Sequence, residues 1–157
     1  MIRIIQRLLH GSIKMSMSKK DLGNLSPMQY KVTQEKHTER PFTGKFNQFK
    51  EQGTYECVVC SQKLFKSNHK FESGCGWPAF YDSIDPKLVK EVRDDSLGMT
   101  RVEVLCAKCH SHLGHVFEDG PKPTRRRFCI NSVSLKFVAP DGETIVDEGG
   151  SVSPARH

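Results

Sequence analysis

The chain has 157 residues, enough for one compact domain and too few for two ordinary ones. Its formal net charge of +6 sits at one end: residues 1–20 hold five of the 24 Lys and Arg and no acid, which leaves 19 basic against 18 acidic side chains in the remainder. A nearly neutral body lacks the basic footprint of a nucleic-acid binder, and no apolar run approaches the ~18 residues of a membrane span, so neither nucleic acid nor membrane is an expected partner.

The first segment, MIRIIQRLLHGSIKMSMSKK, has a helical wheel at ~100° per residue with Arg3, Arg7, His10 and Lys14 on one side and Ile2, Ile5, Leu9 and Ile13 opposite. A basic, amphipathic, acid-free start has the composition of a mitochondrial transit peptide. Residues 1–20 are therefore expected to be an N-terminal targeting leader or a disordered extension. The expected location is mitochondrial, or cytoplasmic or nuclear where translation starts at Met15 or Met17. Residues 21–148 are expected to form the single domain, and the small, polar segment 149–157 a disordered tail.

SPMQYKVTQEK predicts a helix, with Ser26 as N-cap, Pro27 at the first helical position and Gln29 completing a capping box. ERPFTGKFNQF, broken by Pro41 and Gly44, reads as loop. From Gly53 onward the pattern is mainly β. The expected strands are TYECVV, KLFKS, VKEVRDD, TRVEVLC, HVFED, RRFCINSVSLKFV and ETIVD, with SLGM joining the third and fourth as a hairpin.

Four of the six cysteines form two C-x-x-C pairs, Cys57/Cys60 and Cys106/Cys109, each at the end of a β run. Two residues between cysteines let both thiolates of a tight turn face one cation, and two such knuckles give a tetrahedron of sulfurs around one structural zinc. Four thiolates leave no open position, so the site is closed and non-catalytic. The 45 residues between the pairs predict that the metal ties two distant parts of a sheet together. A redox dithiol and a disulfide framework are the competing readings of these cysteines; the duplication of the motif argues against the first.

Cys75 and Cys129 are left over. A lone cysteine is ordinarily a small buried apolar residue. Against this, Cys129 follows Arg125, Arg126 and Arg127, and a guanidinium near sulfur favours the thiolate. Strand alternation puts Arg127, Cys129 and Asn131 on one face. Cys75 lies between Gly74 and Gly76, in a loop that could bring a second thiol to the first. His110, His112, His115, Glu118 and Asp119 crowd the segment CHSHLGHVFED, as candidate proton donors near a thiolate or as exposed polar side chains with no role. Trp77, in a Gly-Trp-Pro turn, is either core or the wall of an apolar pocket.

Taken together, QYKVTQEKHTERPFTGKF, CVVC, SGCGWPAF, CAKCHSHLGHVFEDGP and RRFCINSVSLKF resemble the methionine-R-sulfoxide reductase (B-class) family, over about residues 26–140. The resemblance implies two antiparallel β-sheets with a few peripheral helices, and reduction of the R epimer of methionine sulfoxide, free or in proteins, to methionine. It implies Cys129 as nucleophile and Cys75 as resolving thiol, through a sulfenic acid and a Cys75–Cys129 disulfide recycled by thioredoxin. It carries pocket roles onto Trp77, His112, His115, Asp119, Arg127, Phe128 and Asn131. On this reading His115, helped by His112, donates a proton to the sulfoxide oxygen, Asp119 orients an imidazole or a water, and Trp77 and Phe128 bind substrate. The protein is expected to act as a monomer. The competing expectation is a zinc-ribbon binding module without catalysis.

Overall fold

Ser26 caps a helix as its sequence predicts. Its hydroxyl accepts the Gln29 N–H at 3.1 Å, and the Gln29 side chain accepts the Ser26 N–H at 2.8 Å. Helix α1 (Pro27–Glu35) then runs nine residues and ends at Lys36, which adopts the left-handed conformation at φ 60°. Its inner face buries Gln29, Val32 and Thr33. The computed structural model describes residues 22–150; the expected leader, and all but Gly149 and Gly150 of the expected tail, lie outside the described residues.

Among the described residues ten strands follow: β1 (Thr54–Cys57), β2 (Lys63–Lys66), β3 (Lys70–Phe71), β4 (Ala79–Phe80), β5 (Val89–Asp94), β6 (Arg101–Cys106), β7 (His112–Phe117), β8 (Arg127–Ile130), β9 (Leu135–Val138) and β10 (Thr144–Val146). They form two antiparallel sheets, in the orders β10-β9-β1-β2 and β3-β4-β8-β7-β6-β5. The expected mainly β, two-sheet fold is the observed one. Aromatic rings fill the space between the sheets. Phe65 of β2 stacks on Phe80 of β4 at 4.5 Å, Tyr55 of β1 meets Phe80 edge-on at 5.0 Å, and Phe65 lies 5.7 Å from Phe128 of β8.

Two details of this topology depart from the sequence pattern, and both shape the site. The run RRFCINSVSLKFV is two strands in different sheets, separated by a 3-10 turn at Ser132–Ser134. There the backbone bonds to side chains instead of to a neighbouring strand: the Glu39 carboxylate accepts the N–H groups of Ser132 and Val133, and the Ser134 hydroxyl donates to the Asn131 carbonyl. The second departure lies in β7, which starts at His112, three residues earlier than predicted. Val104 pairs with Gly114 but the next residue, Leu105, pairs with His112, so Leu113 is the extra residue of a β-bulge. A bulge resets the alternation of side chains. His112 and His115, three apart, would face opposite ways on a regular strand; here their rings lie 5.6 Å apart.

Candidate active site and metal centre

The two C-x-x-C turns have the same backbone construction. In each, the residue after the second cysteine takes a left-handed conformation (Ser61 φ 63°, His110 φ 61°) and its N–H returns to the carbonyl of the first cysteine, at 2.9 Å and 2.8 Å. This brings the four sulfurs of Cys57, Cys60, Cys106 and Cys109 within 4.8 Å of one another. The Cys57–Cys109 and Cys60–Cys106 separations are 3.6 Å and 3.5 Å. Four thiolates about 2.3 Å from one zinc form a tetrahedron with edges of about 3.8 Å, so the cluster fits a single metal ion. The first knuckle belongs to the β1–β2 turn and the second to the β6–β7 turn, which lie in different sheets. The metal site therefore joins two sheets, not two parts of one. His110 occupies the turn position and faces outward.

The other two cysteines meet elsewhere. Cys129 on β8 is paired across the ladder with His115 on β7 and with Ala79 on β4. The Cys75 loop folds over it, and the two sulfurs are 3.3 Å apart, as free thiols. Gly76 permits this course. Its φ is +94°, and a Cβ there would lie 2.7 Å from the Pro41 ring. A hydrogen bond joins the two thiols. The Cys75 thiol is pulled down to about 5, chiefly because Cys129 donates to it, and the Cys129 thiol is pushed up by the same hydrogen bond and by burial. The Arg127 guanidinium favours the thiolate at both sulfurs.

A cleft of about 280 Å³ opens over this pair. Trp77, His115, Arg127 and Asn131 line it with the two cysteines, as do Thr38, Arg101, Gly114 and Phe117. The Trp77 indole donates to the Glu39 carbonyl at 3.1 Å. Asn131 is buried; its amide donates to the Leu113 carbonyl and accepts the Glu39 N–H, both at 3.0 Å. The segment around Glu39 thereby fixes two walls of the cleft at once. Desolvation raises the Glu39 carboxyl to about 7, against the lowering effect of the two N–H groups it accepts.

Three expected site residues sit differently from their expected roles. Asp119, expected to orient an imidazole or a water, meets no imidazole among the described residues. It receives a two-pronged ion pair from Arg127 at 2.8 Å and 3.0 Å, which holds its carboxyl below the usual range. Phe128 does not reach the cleft: it lies between Arg127 and Cys129 on the strand and so points the other way, into the aromatic core, 2% exposed. Phe117, two residues beyond His115, takes the cleft position, with Arg127 packed over its ring at 4.5 Å. His112 is buried just behind the cleft. Burial lowers its pKa, and its Nε2 finds no partner among the described residues.

The groups that hold the imidazoles are carboxylates that no sequence motif singles out. Asp94 at the end of β5 meets His115 Nε2 at 2.7 Å, and Glu103 of β6 meets His112 Nδ1 at 2.8 Å.

A family model described as the SelR domain matches residues 25–139. The chain belongs to this family. Among curated relatives, "Methionine-R-sulfoxide reductase B1" of Drosophila melanogaster is 51% identical over 146 residues, covering 85% of this chain and 70% of that protein. "Peptide methionine sulfoxide reductase MsrB" of Pseudomonas putida is 58% identical over 118 residues, covering 75% and 89%. "Methionine-R-sulfoxide reductase B3, mitochondrial" of Mus musculus is 51% identical over 133 residues, covering 83% of this chain and 53% of that protein. The SelR match spans the metal cysteines, the thiol pair and both histidines of the site.

Proposed function

We infer that the chain is a peptide-methionine (R)-S-oxide reductase, which converts the R epimer of methionine sulfoxide, in proteins or free, to methionine. The observation that carries this is the 3.3 Å contact of two free thiols beneath a cleft lined by an imidazole, an indole and a guanidinium. Substrate enters with its methyl against Trp77 and its oxygen toward His115, an orientation that one epimer alone satisfies. The Cys75 thiolate draws the proton from Cys129 along their hydrogen bond, and Arg127 holds the thiolate so formed. Cys129 attacks the sulfoxide sulfur while His115 protonates the oxygen. The sulfur–sulfur bond so formed breaks as the protonated oxygen passes to Cys129, giving a sulfenic acid, and methionine leaves with the electron pair of that bond. The Cys75 sulfur displaces that oxygen as water, forming a disulfide. A dithiol reductant of the thioredoxin type exchanges the disulfide away and is itself oxidised.

Asn131 anchors the cleft wall, Asp119 fixes Arg127, and His112 packs beside His115. Phe128 supports the strand from the core side. Cys57, Cys60, Cys106 and Cys109 hold one zinc, which supplies no step in the reaction and crosslinks the fold. Residues 21–148 form the catalytic domain, acting as a monomer. Residues 1–20 act as a mitochondrial leader, a reading favoured by their charge pattern and by the name of the mouse relative; 149–157 are a tail. A non-catalytic zinc-ribbon module is not favoured, because it gives the Cys75–Cys129 contact no purpose.

The deciding experiment offers the protein a peptide carrying both sulfoxide epimers, with dithiothreitol as reductant, and resolves the remaining sulfoxide by chirality. Loss of the R epimer with the S epimer intact is expected. Consumption of neither, or of both equally, overturns the reading.

A further inference from the structure

Behind His115 lies a chain of charged groups of alternating sign, and none of the reaction steps above uses the groups beyond that imidazole. His115 Nε2 meets Asp94 Oδ2 at 2.7 Å; the other Asp94 oxygen is 3.4 Å from Lys36 Nζ; Lys36 Nζ is 2.9 Å from Glu103 Oε2; and Glu103 Oε1 meets His112 Nδ1 at 2.8 Å. The Arg101 guanidinium reaches Asp94 at 3.5 Å. The carboxylates are buried, with side chains 2% and 9% exposed, while Lys36 is 43% exposed. Helix α1 ends so as to supply this lysine: Lys36 is its left-handed C-cap.

We propose that Asp94 and Lys36 are positioning residues for the reaction, which act through His115 and set, with opposite signs, how firmly it holds the proton it delivers. The proposal rests on the reading of His115 as the acid. With Nε2 committed to Asp94, Nδ1 is the ring nitrogen left to meet a bound oxygen; it has no partner among the described residues. The Asp94 carboxylate places a negative charge against the imidazole, and Lys36 places a positive charge against Asp94 from behind. The other charged or titratable groups around His115 are Arg101 and Glu103 on β6, His112 on its own strand, Arg127 and Cys129 on β8, and Cys75 on the loop. With both carboxylates, Lys36 and Arg101 charged, this cluster carries no net charge while the imidazoles are neutral. Removing either Asp94 or Lys36 unbalances it by one unit, in opposite directions.

The sign follows directly. Delivery of a proton fails as pH rises through the pKa of the acid, so the alkaline limb of the rate profile reports His115. Asp94→Asn removes the attracting charge and moves that limb down, by about one pH unit or more. Lys36→Met removes the repelling charge and moves it up, by less, because an exposed charge is screened. Asp94→Glu keeps the charge and restores most of the wild-type profile.

The test measures methionine released in a single turnover without reductant, from a peptide R-sulfoxide, across the pH range for wild type and the three variants. Opposite displacements of the alkaline limb by Asp94→Asn and Lys36→Met are expected. A limb that stays in place in both variants, or moves the same way in both, overturns the proposal even if overall rates fall, since simple loss of structure lowers the rate without choosing a sign. If Asp94→Asn does not fold, Lys36→Met on the protein surface decides alone: an unmoved or lowered limb overturns the proposal. A wild-type enzyme that releases no methionine, or a His115→Ala variant that keeps the full rate, defeats the underlying functional reading instead.

Discussion

Cys75 and Cys129, 54 residues apart in sequence, touch through their sulfurs at 3.3 Å while both remain free thiols. A disulfide bond is about 2.05 Å long, so the two sulfurs need close by little more than an ångström once one of them is oxidised. No loop has to travel to bring the second thiol to the first.

This proximity separates the roles of the two thiols in a measurable way. Cys129→Ser is expected to abolish turnover with any reductant. Cys75→Ser is expected to release one equivalent of methionine per enzyme without reductant, at a reduced rate because the acceptor for the Cys129 proton is gone, and to accumulate a sulfenic acid on Cys129. Its turnover with thioredoxin falls at least tenfold, and dithiothreitol, small enough to reach the sulfenic acid, restores much of it. Full thioredoxin-dependent turnover in Cys75→Ser excludes Cys75 as the resolving thiol.

Glu39 makes stability depend on pH. Its carboxyl titrates at about 7 in the fold against an ordinary 4.5, so the folded state binds a proton more tightly than the unfolded chain. The stability this contributes is present in full below 4.5 and is lost as pH rises through about 7. The loss is about 3 kcal/mol at the usual conversion of a pKa difference to energy. Urea unfolding of wild type and Glu39→Gln at several pH values checks this. The stability difference between them should change in favour of the glutamine variant as pH rises, and a difference constant with pH refutes it.

Gly114 is set against the backbone of β8. A Cβ there would run into the Cys129 carbonyl oxygen and lie 2.9 Å from the Ile130 Cα. Neither atom can rotate away, so Gly114→Ala is expected to spread β7 from β8, at a cost on the order of 3 kcal/mol. It also displaces His115 from Cys129. Thermal unfolding and single-turnover rate should fall together; an unchanged melting temperature counts against the close approach.

The metal prediction concerns identity and consequence. Elemental analysis of the purified protein should find about one zinc per chain, and a chelator strong enough to remove it should unfold the domain, since structural zinc in small peptides binds with ~10–16 kcal/mol. Cys57→Ser and Cys109→Ser, on opposite knuckles, should be equally damaging. Iron in place of zinc, or a chelated protein that keeps its fold, contradicts the assignment.

Much of this molecule can be read from local pattern. Ser26, Pro27 and Gln29 announce the helix start because a cap is a contact between near neighbours. Cys57, Cys60, Cys106 and Cys109 announce a metal because each knuckle is complete within a few residues. Strand alternation is enough to place Arg127 beside Cys129, and applied further it places Phe128 in the core and Phe117 with His115. Asp94, Glu103 and Lys36 are not legible in this way. Their proximity to the histidines comes from the β5–β6–β7 pairing and from where a distant helix ends. The shared face of His112 and His115 is also hidden, because it depends on the bulge at Leu113, which no local signal marks.

The two knuckles bear on how this sequence can vary in length. Only His110 and Ser111 separate Cys109 from His112. An insertion there must either move a metal ligand or shift the register of β7, and a shift by one residue turns its side chains to the other face. The hairpin on the other side of β6 has no such constraint: its tip carries Leu97, 81% exposed, and no ligand of the cluster. Neighbouring turns of one sheet should therefore differ in what they tolerate. Residues added after Leu97, which leave the Ser96 N–H on the Asp94 carboxylate at 3.0 Å, should cost little activity, whereas a single residue added after Cys109 should cost the protein its metal site or its catalytic alignment.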